Sequence, residues 1–159
     1  MLFIKKTDKD TKAVYEIIRR WGSDVLVSRG KIHKIDDLDG ILVYDKKKII
    51  GLGLYRIEND CEIVLLETFV NGIGIGTQII DRIKNIAVQN NCKRIWLVTT
   101  NSNINAIHFY QKRGFTISNI YINTMKEARE IKPEIPLVAE NGIEIRDEIE
   151  FEINLIKLG

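Results

Sequence analysis

The sequence predicts an α/β fold: a mixed, mostly antiparallel central sheet flanked by helices. Three observations point to it. "ILVYD", "KKKIIGLGLYRIE" and "CEIVLLETFV" are β-rich apolar segments separated only by short Asp/Lys and Asn/Asp turns, which makes them an antiparallel meander. After them the pattern changes to helix, strand, helix, strand. The chain of 159 residues is long enough to bury roughly 70% of its unfolded surface around one core, so a single domain over residues 1–159 suffices.

Each element has a local reason. Thr7 caps a first helix carrying Asp8 and Asp10 in its first turn, with Val14, Ile17, Ile18 and Trp21 on one face and Gly22 as its stop. Residues 23–39 carry no clear period. The three meander strands follow, and Ile79, Ile80, Ile83, Ile86 and Ala87 then set a helical spacing behind a glycine-rich turn. "RIWLVTT" is a buried strand, and "NINAIHFYQKRG" is a helix with Gly114 just past its end. "FTISNIYIN" is a strand, and "TMKEAREIK" a short helix stopped by Pro133. In "EIEFEINL", Ile149, Phe151, Ile153 and Leu155 alternate with acidic or polar residues, which predicts a half-exposed strand.

Composition narrows the function. With 24 basic against 22 acidic residues and a formal net charge of +2, nothing demands nucleic acid or an anionic membrane as partner. Cys61 and Cys92 have no metal-ligand or redox-pair spacing, so both are expected as reduced thiols in or near the core. No stretch suits a leader or a membrane span, and a cytoplasmic location is the default expectation.

The chemistry begins at "ETFVNGIGIGTQII". A strand that enters a helix through a glycine-rich turn presents unpaired N–H groups and the positive end of the helix dipole at one spot, which suits a phosphate. Gly72, Gly74 and Gly76 permit positive φ and remove the Cβ atoms that would hold an anion off; equally, they can serve only a tight turn and a close helix contact. A Rossmann fingerprint fails because Thr77 stands where a small residue is needed and no acidic residue closes "LVTT". A P-loop fails for want of Gly-Lys-Ser/Thr.

"TTNSNINAIHFYQKRGF", taken with "NGIGIG", resembles the GNAT superfamily of N-acetyltransferases over residues 41–115. The family turn is Arg or Gln, two residues, Gly, one residue, Gly or Ala; Gly74 and Gly76 match its glycines, while Asn71 replaces the Arg or Gln with a shorter, neutral side chain. Asn103, Ala106, Phe109 and Tyr110 match the family's Asn-x-x-Ala-x-x-Phe-Tyr, and "KRGF" follows where it has Gly-Phe. The resemblance implies that acetyl-coenzyme A inserts between parallel strands splayed near the end of "CEIVLLETFV". Its pyrophosphate would lie on Asn71, Gly72, Ile73, Gly74, Ile75, Gly76 and Thr77, and its pantetheine arm on Asn103. Asn103 is equally well placed as a helix cap.

The implied reaction is direct attack of a primary amine, on a small molecule or a peptide, at the thioester. Backbone amides around Leu66 and Thr68 would receive the developing oxyanion, Tyr110 would serve the leaving thiolate, and Glu67 or a water chain would take the amine proton. Glu67 interrupts a strand whose two faces, Ile63/Leu65/Phe69 and Val64/Leu66/Val70, are both apolar, so it is either such a base or a residue turned to solvent where the strands part. No metal is required. A non-catalytic acyl-coenzyme A binding or sensing module is the alternative that Asn71 favours. Trp21, Trp96 and Phe109 are expected in the core, His108 on a helix surface, His33 without a catalytic role and residues 45–48 in a solvated turn. A homodimer through the C-terminal strand is a further expectation.

Overall fold

A computed structural model describes residues 1–20 and 24–156. The expectations for Trp21 and Gly22 lie outside the described residues. Among these, the chain runs β1 (Leu2–Lys5), α1 (Thr11–Arg19), β2 (Val25–Ser28), β3 (Lys31–Lys34), β4 (Asp39–Asp45), β5 (Lys48–Ile57), β6 (Cys61–Thr68), α2 (Ile75–Gln89), β7 (Arg94–Thr100), α3 (Ile104–Lys112), β8 (Thr116–Tyr121), α4 (Met125–Ile131) and β9 (Glu148–Asn154). Thr7 opens the first helical segment, its N–H donating to Asp10 Oδ2 at 2.8 Å; residues Asp8–Asp10 form a 3₁₀ turn before α1.

Seven strands form one sheet in the order β1-β4-β5-β6-β7-β9-β8, with β6 and β7 the parallel pair. The meander is as the turns predict. Helices flank the sheet: Ile75, Ile79 and Ile83 of α2, with Tyr110 of α3 and Phe115, cover one face, while Val14, Ile17 and Ile18 of α1 and Leu26 of β2 cover the other. Burying these apolar faces on both sides is what the period-2 and period-3.6 patterns require.

Three local features depart from the sequence reading. Residues 23–39 contain the β2–β3 hairpin, and "LFIK" adds an edge strand against β4; both strands of the hairpin and β1 are only four residues long, too short for alternation to show. In β6 the register shifts so that Leu65 faces Leu54 and Ile63 faces Tyr55, leaving Val64 as a β-bulge. The bulge resets the faces: Val64 and Leu65 both pack toward α1, whereas Ile63 and Leu66 pack toward α2. Phe69 and Val70, assigned to opposite buried faces, lie past the strand's end and are each 41% exposed.

The third departure is β9. It lies between β7 and β8, paired on both edges, so Glu148 and Glu150 are enclosed and no partner strand can add to it. Glu150 accepts from Arg94 Nη1 (3.1 Å), Tyr121 Oη (2.9 Å) and Ser118 Oγ (2.5 Å). Burial alone would raise its pKa, but these donors outweigh it and hold the carboxyl below its ordinary range. Trp96 is likewise not core: it is half-buried, 5.1 Å from the Arg94 guanidinium.

Candidate active site

The cleft originates in a strand that loses its neighbour. Parallel pairing between β6 and β7 runs only through Cys61↔Ile95 and Glu62↔Trp96, so the strands part just after Glu62, farther back than the strand end where the sequence placed the splay. The Val64 bulge follows immediately and bends β6 away. From there to Thr68, β6 keeps β5 on one edge and turns backbone polar groups on the other toward an open cleft of about 590 Å³. Leu66, Glu67 and Thr68 line it.

At its mouth stands the glycine turn. Gly72 and Gly74 have φ of +82° and +74°, and a Cβ at Gly74 would meet nothing within 4 Å: the site demands glycine for its backbone and leaves the space beside it empty. Gly74 is the N-cap of α2, and the first intrahelical bond is Gln78 N–H to Gly74 O at 3.1 Å. The amides of Ile75, Gly76 and Thr77 therefore have no acceptor among the described residues. Gly76 serves differently. A Cβ there would lie 2.9 Å from the Phe109 ring, so this glycine lets α2 and α3 approach. Asn71, Gly72 and Thr77 line the cleft; Ile73 does not, being 48% exposed on the outside of the turn, and the Ile75 side chain is sunk in the core. At Ile73 it is therefore the backbone alone that the turn can offer to the pyrophosphate expected there.

From α3, Asn103, Ala106, Phe109 and Tyr110 all line the cleft. Asn103 is the cap: its Oδ1 accepts from Ala106 N–H at 3.2 Å, and its amide nitrogen has no hydrogen bond among the described residues. Gly114, with φ +91°, ends the helix in a Schellman motif, Phe115 N–H bonding Tyr110 O and Gly114 N–H bonding Gln111 O, each at 3.1 Å. That motif and edge-on contacts with Phe109 and Phe115 fix the Tyr110 ring. Its hydroxyl has no hydrogen bond among the described residues. Burial, and secondarily the Glu67 charge, push its pKa well above the ordinary phenol value, so it is a proton donor throughout the neutral range.

Glu67 is half-buried, lines the same cleft and has no hydrogen-bond or ion-pair partner among the described residues. Burial raises its pKa. A carboxyl raised toward neutrality is the better proton acceptor there. Arg113 was not foreseen. Its Nε donates to Thr77 Oγ1 (2.8 Å), its Nη1 to Phe109 O (3.0 Å), and the guanidinium lies 3.6 Å from the Phe109 ring centroid, lining the cleft with no carboxylate partner among the described residues. The only sequence signal was its place in "KRGF"; the contact with Thr77 spans 36 positions and follows from helix packing.

A family model for the Acetyltransferase (GNAT) family matches residues 10–115, and the uncharacterized protein YdhI of Bacillus subtilis is 44% identical over 135 residues, 84% of each chain. The chain belongs to the GNAT acetyltransferase family. The GNAT fold also recurs in a GNAT family acetyltransferase from Elizabethkingia anophelis with acetyl-CoA bound, at 22% identity and TM-score 0.69 over 97% of both chains. A Bacillus subtilis acetyltransferase in complex with CoA superposes with TM-score 0.68 at 17% identity, covering 97% of this chain and 98% of that one. These two likenesses concern the GNAT architecture: a splayed, mostly antiparallel sheet flanked by helices. The catalytic triad look of Ser28, His33 and Glu62 carries no GNAT chemistry. The Ser28 hydroxyl sits between the other two, 2.8 Å from His33 Nε2 and 2.6 Å from Glu62, whereas nucleophile activation needs the imidazole in the middle.

Proposed function

We propose that the protein is an acetyl-coenzyme A-dependent N-acetyltransferase acting on a primary amine. The observation that carries this reading is one cleft with three helix amides at its mouth and a carboxylate and a phenol within, none of them partnered among the described residues. The residues fit the cosubstrate: the turn is open where a Cβ would stand, and the α2 N-terminus offers N–H groups and positive dipole to a pyrophosphate. Asn71, Gly72, Gly74, Gly76, Thr77 and Asn103 would hold it. Arg113 supplies the charge that Asn71 lacks. Bound there, acetyl-coenzyme A provides an activated thioester between β6 and β7.

This chain's groups then divide the work. Glu67 takes a proton from the bound ammonium, and the free amine so formed attacks the thioester carbonyl; backbone N–H groups near Leu66 and Thr68 donate to the carbonyl oxygen as charge builds; Tyr110 gives its proton to the departing sulfur. One N–C bond forms and one C–S bond breaks; of the two protons the ammonium loses, the first passes through Glu67 to solvent, and the second leaves the nitrogen of the tetrahedral adduct through water and replaces the one Tyr110 gives to sulfur. Amine-dependent release of free thiol from acetyl-coenzyme A, with the acetylated amine identified by mass spectrometry, tests this directly.

Tyr110→Phe should lower turnover by roughly 10- to 10³-fold, because coenzyme A thiolate is already a fair leaving group. Affinity for acetyl-coenzyme A should hardly change, since the ring packing stays. Wild-type turnover in this variant, with chemistry rate-limiting, would leave the protonation to water. Arg113→Gln should weaken acetyl-coenzyme A binding by about tenfold, the scale of one half-exposed charge-assisted contact. Titrations at several salt concentrations check it: the variant should show a shallower loss of affinity with salt than the wild type. An unchanged salt dependence would make Arg113 only a tie between α2 and α3.

A further inference from the structure

On the face of the sheet away from α2 lies a second cavity, of about 230 Å³. Asn103 lines both it and the cleft. Its lining is mixed: Val27, Val64, Val98 and Met125 stand among the polar Ser28, Thr99 and Thr100. Val64 is the bulged residue of β6, and Val98 belongs to the part of β7 that β6 has left, so this cavity reaches the parted strands from behind. The volume falls below the roughly 300 to 1,000 Å³ of sites for drug-sized ligands and suits a small acceptor.

Its charge is one-sided. Glu148 lines it, and no Lys, Arg or His does among the described residues. Glu148 is only 6% exposed, yet its compensation is poor: Arg29 N–H donates to Oε2 at a long 3.3 Å, and Arg29 Nη1 stands 3.9 Å from Oε1. The Arg29 guanidinium is shared with Tyr121, whose ring centroid lies 3.2 Å away. A buried carboxylate held so loosely is costly until a cation completes it. Glu148 also pairs in register with Thr100, at the end of β7 that borders the parted strands.

We infer that this cavity is the acceptor site and that it selects a short aliphatic diamine, with the far ammonium on Glu148 and the near amine entering between β6 and β7. The inference rests on the acetyltransferase reading above. An amino acid acceptor is disfavoured, because its carboxylate would enter a space lined by the Glu148 carboxylate and, among the described residues, by no cation. Val64, Val98 and Met125 offer apolar contact to the methylene chain between two amines. A monoamine would make the same apolar contacts but leave Glu148 with only its long contacts to Arg29.

The test compares 1,4-diaminobutane, butylamine and 4-aminobutanoate as acceptors by thiol release from acetyl-coenzyme A. A charge-assisted contact predicts kcat/KM for the diamine about 10- to 100-fold above butylamine, with 4-aminobutanoate poorest. Glu148→Gln should bring the diamine-to-monoamine ratio close to one. Equal use of diamine and monoamine by the wild-type protein, or a ratio unchanged in a folded Glu148→Gln variant, overturns the inference and leaves the acetyltransferase reading standing. No release from any of the three amines overturns it too. Calorimetry then separates the two claims: acetyl-coenzyme A binding keeps the cofactor cleft, and absence of binding removes both.

Discussion

Glu67→Gln should lower turnover by roughly 10²-fold or more near neutral pH, the loss expected when a positioned base is removed. The neutral amide keeps the shape of the side chain but cannot accept the ammonium proton. As pH rises the free amine accumulates and the variant's defect should shrink, whereas a pH-independent loss would point to positioning of the acceptor instead. In the wild type, activity should fall as pH drops through the raised pKa of Glu67. Stability separates this from misfolding. Because burial raises the native pKa of Glu67, the native state holds its proton to higher pH than the unfolded chain does, so ionisation between the two values costs stability. Glu67→Gln removes that cost, and its unfolding midpoint at pH 7 should equal or exceed the wild-type value. A lower midpoint would contradict the burial argument.

Gly74→Val should abolish measurable acetyl-coenzyme A binding. Two effects combine at this position. The side chain would occupy the space that is open beside the α2 amides, and a β-branched residue at φ +74° is strained by about 1–2 kcal/mol or more, which pulls the turn out of shape. Because the turn is exposed and no atom lies within 4 Å of the added Cβ, the fold should survive. Circular dichroism with calorimetry checks both halves: native secondary structure and a loss of affinity beyond about 10²-fold, the scale of several lost phosphate contacts. A folded variant with wild-type affinity would remove the turn from the binding site.

What the sequence made legible was local chemistry. Positive φ at Gly72 and Gly74, the Asn103 cap and the Gly114 stop each follow from what one residue type does to its own backbone. Features created by pairing were not legible. The Val64 bulge arises where β6 meets β5, and it swaps the faces of Leu65 and Leu66 that simple alternation assigns. Alternation also cannot tell water from a buried polar layer, so Glu148 and Glu150 looked solvent-facing until β8 closed over β9. Ile73 sits inside the glycine motif yet is 48% exposed and does not line the cleft, between two glycines of positive φ that turn the chain there. Arg113 reaches Thr77 only because Gly76 lets α2 and α3 touch.

Asn71 keeps one competing account in play, that of a module which binds an acyl-coenzyme A without reacting. The measurement that decides between them is thiol release from acetyl-coenzyme A by the wild-type protein, with and without a panel of primary amines, run beside calorimetry of acetyl-coenzyme A alone. An acetyltransferase with the cleft described here binds acetyl-coenzyme A, releases thiol only when an amine is present, and yields one acetylated amine per thiol. Tight binding with no amine-dependent release across diamines, monoamines, amino acids and peptide N-termini would contradict it.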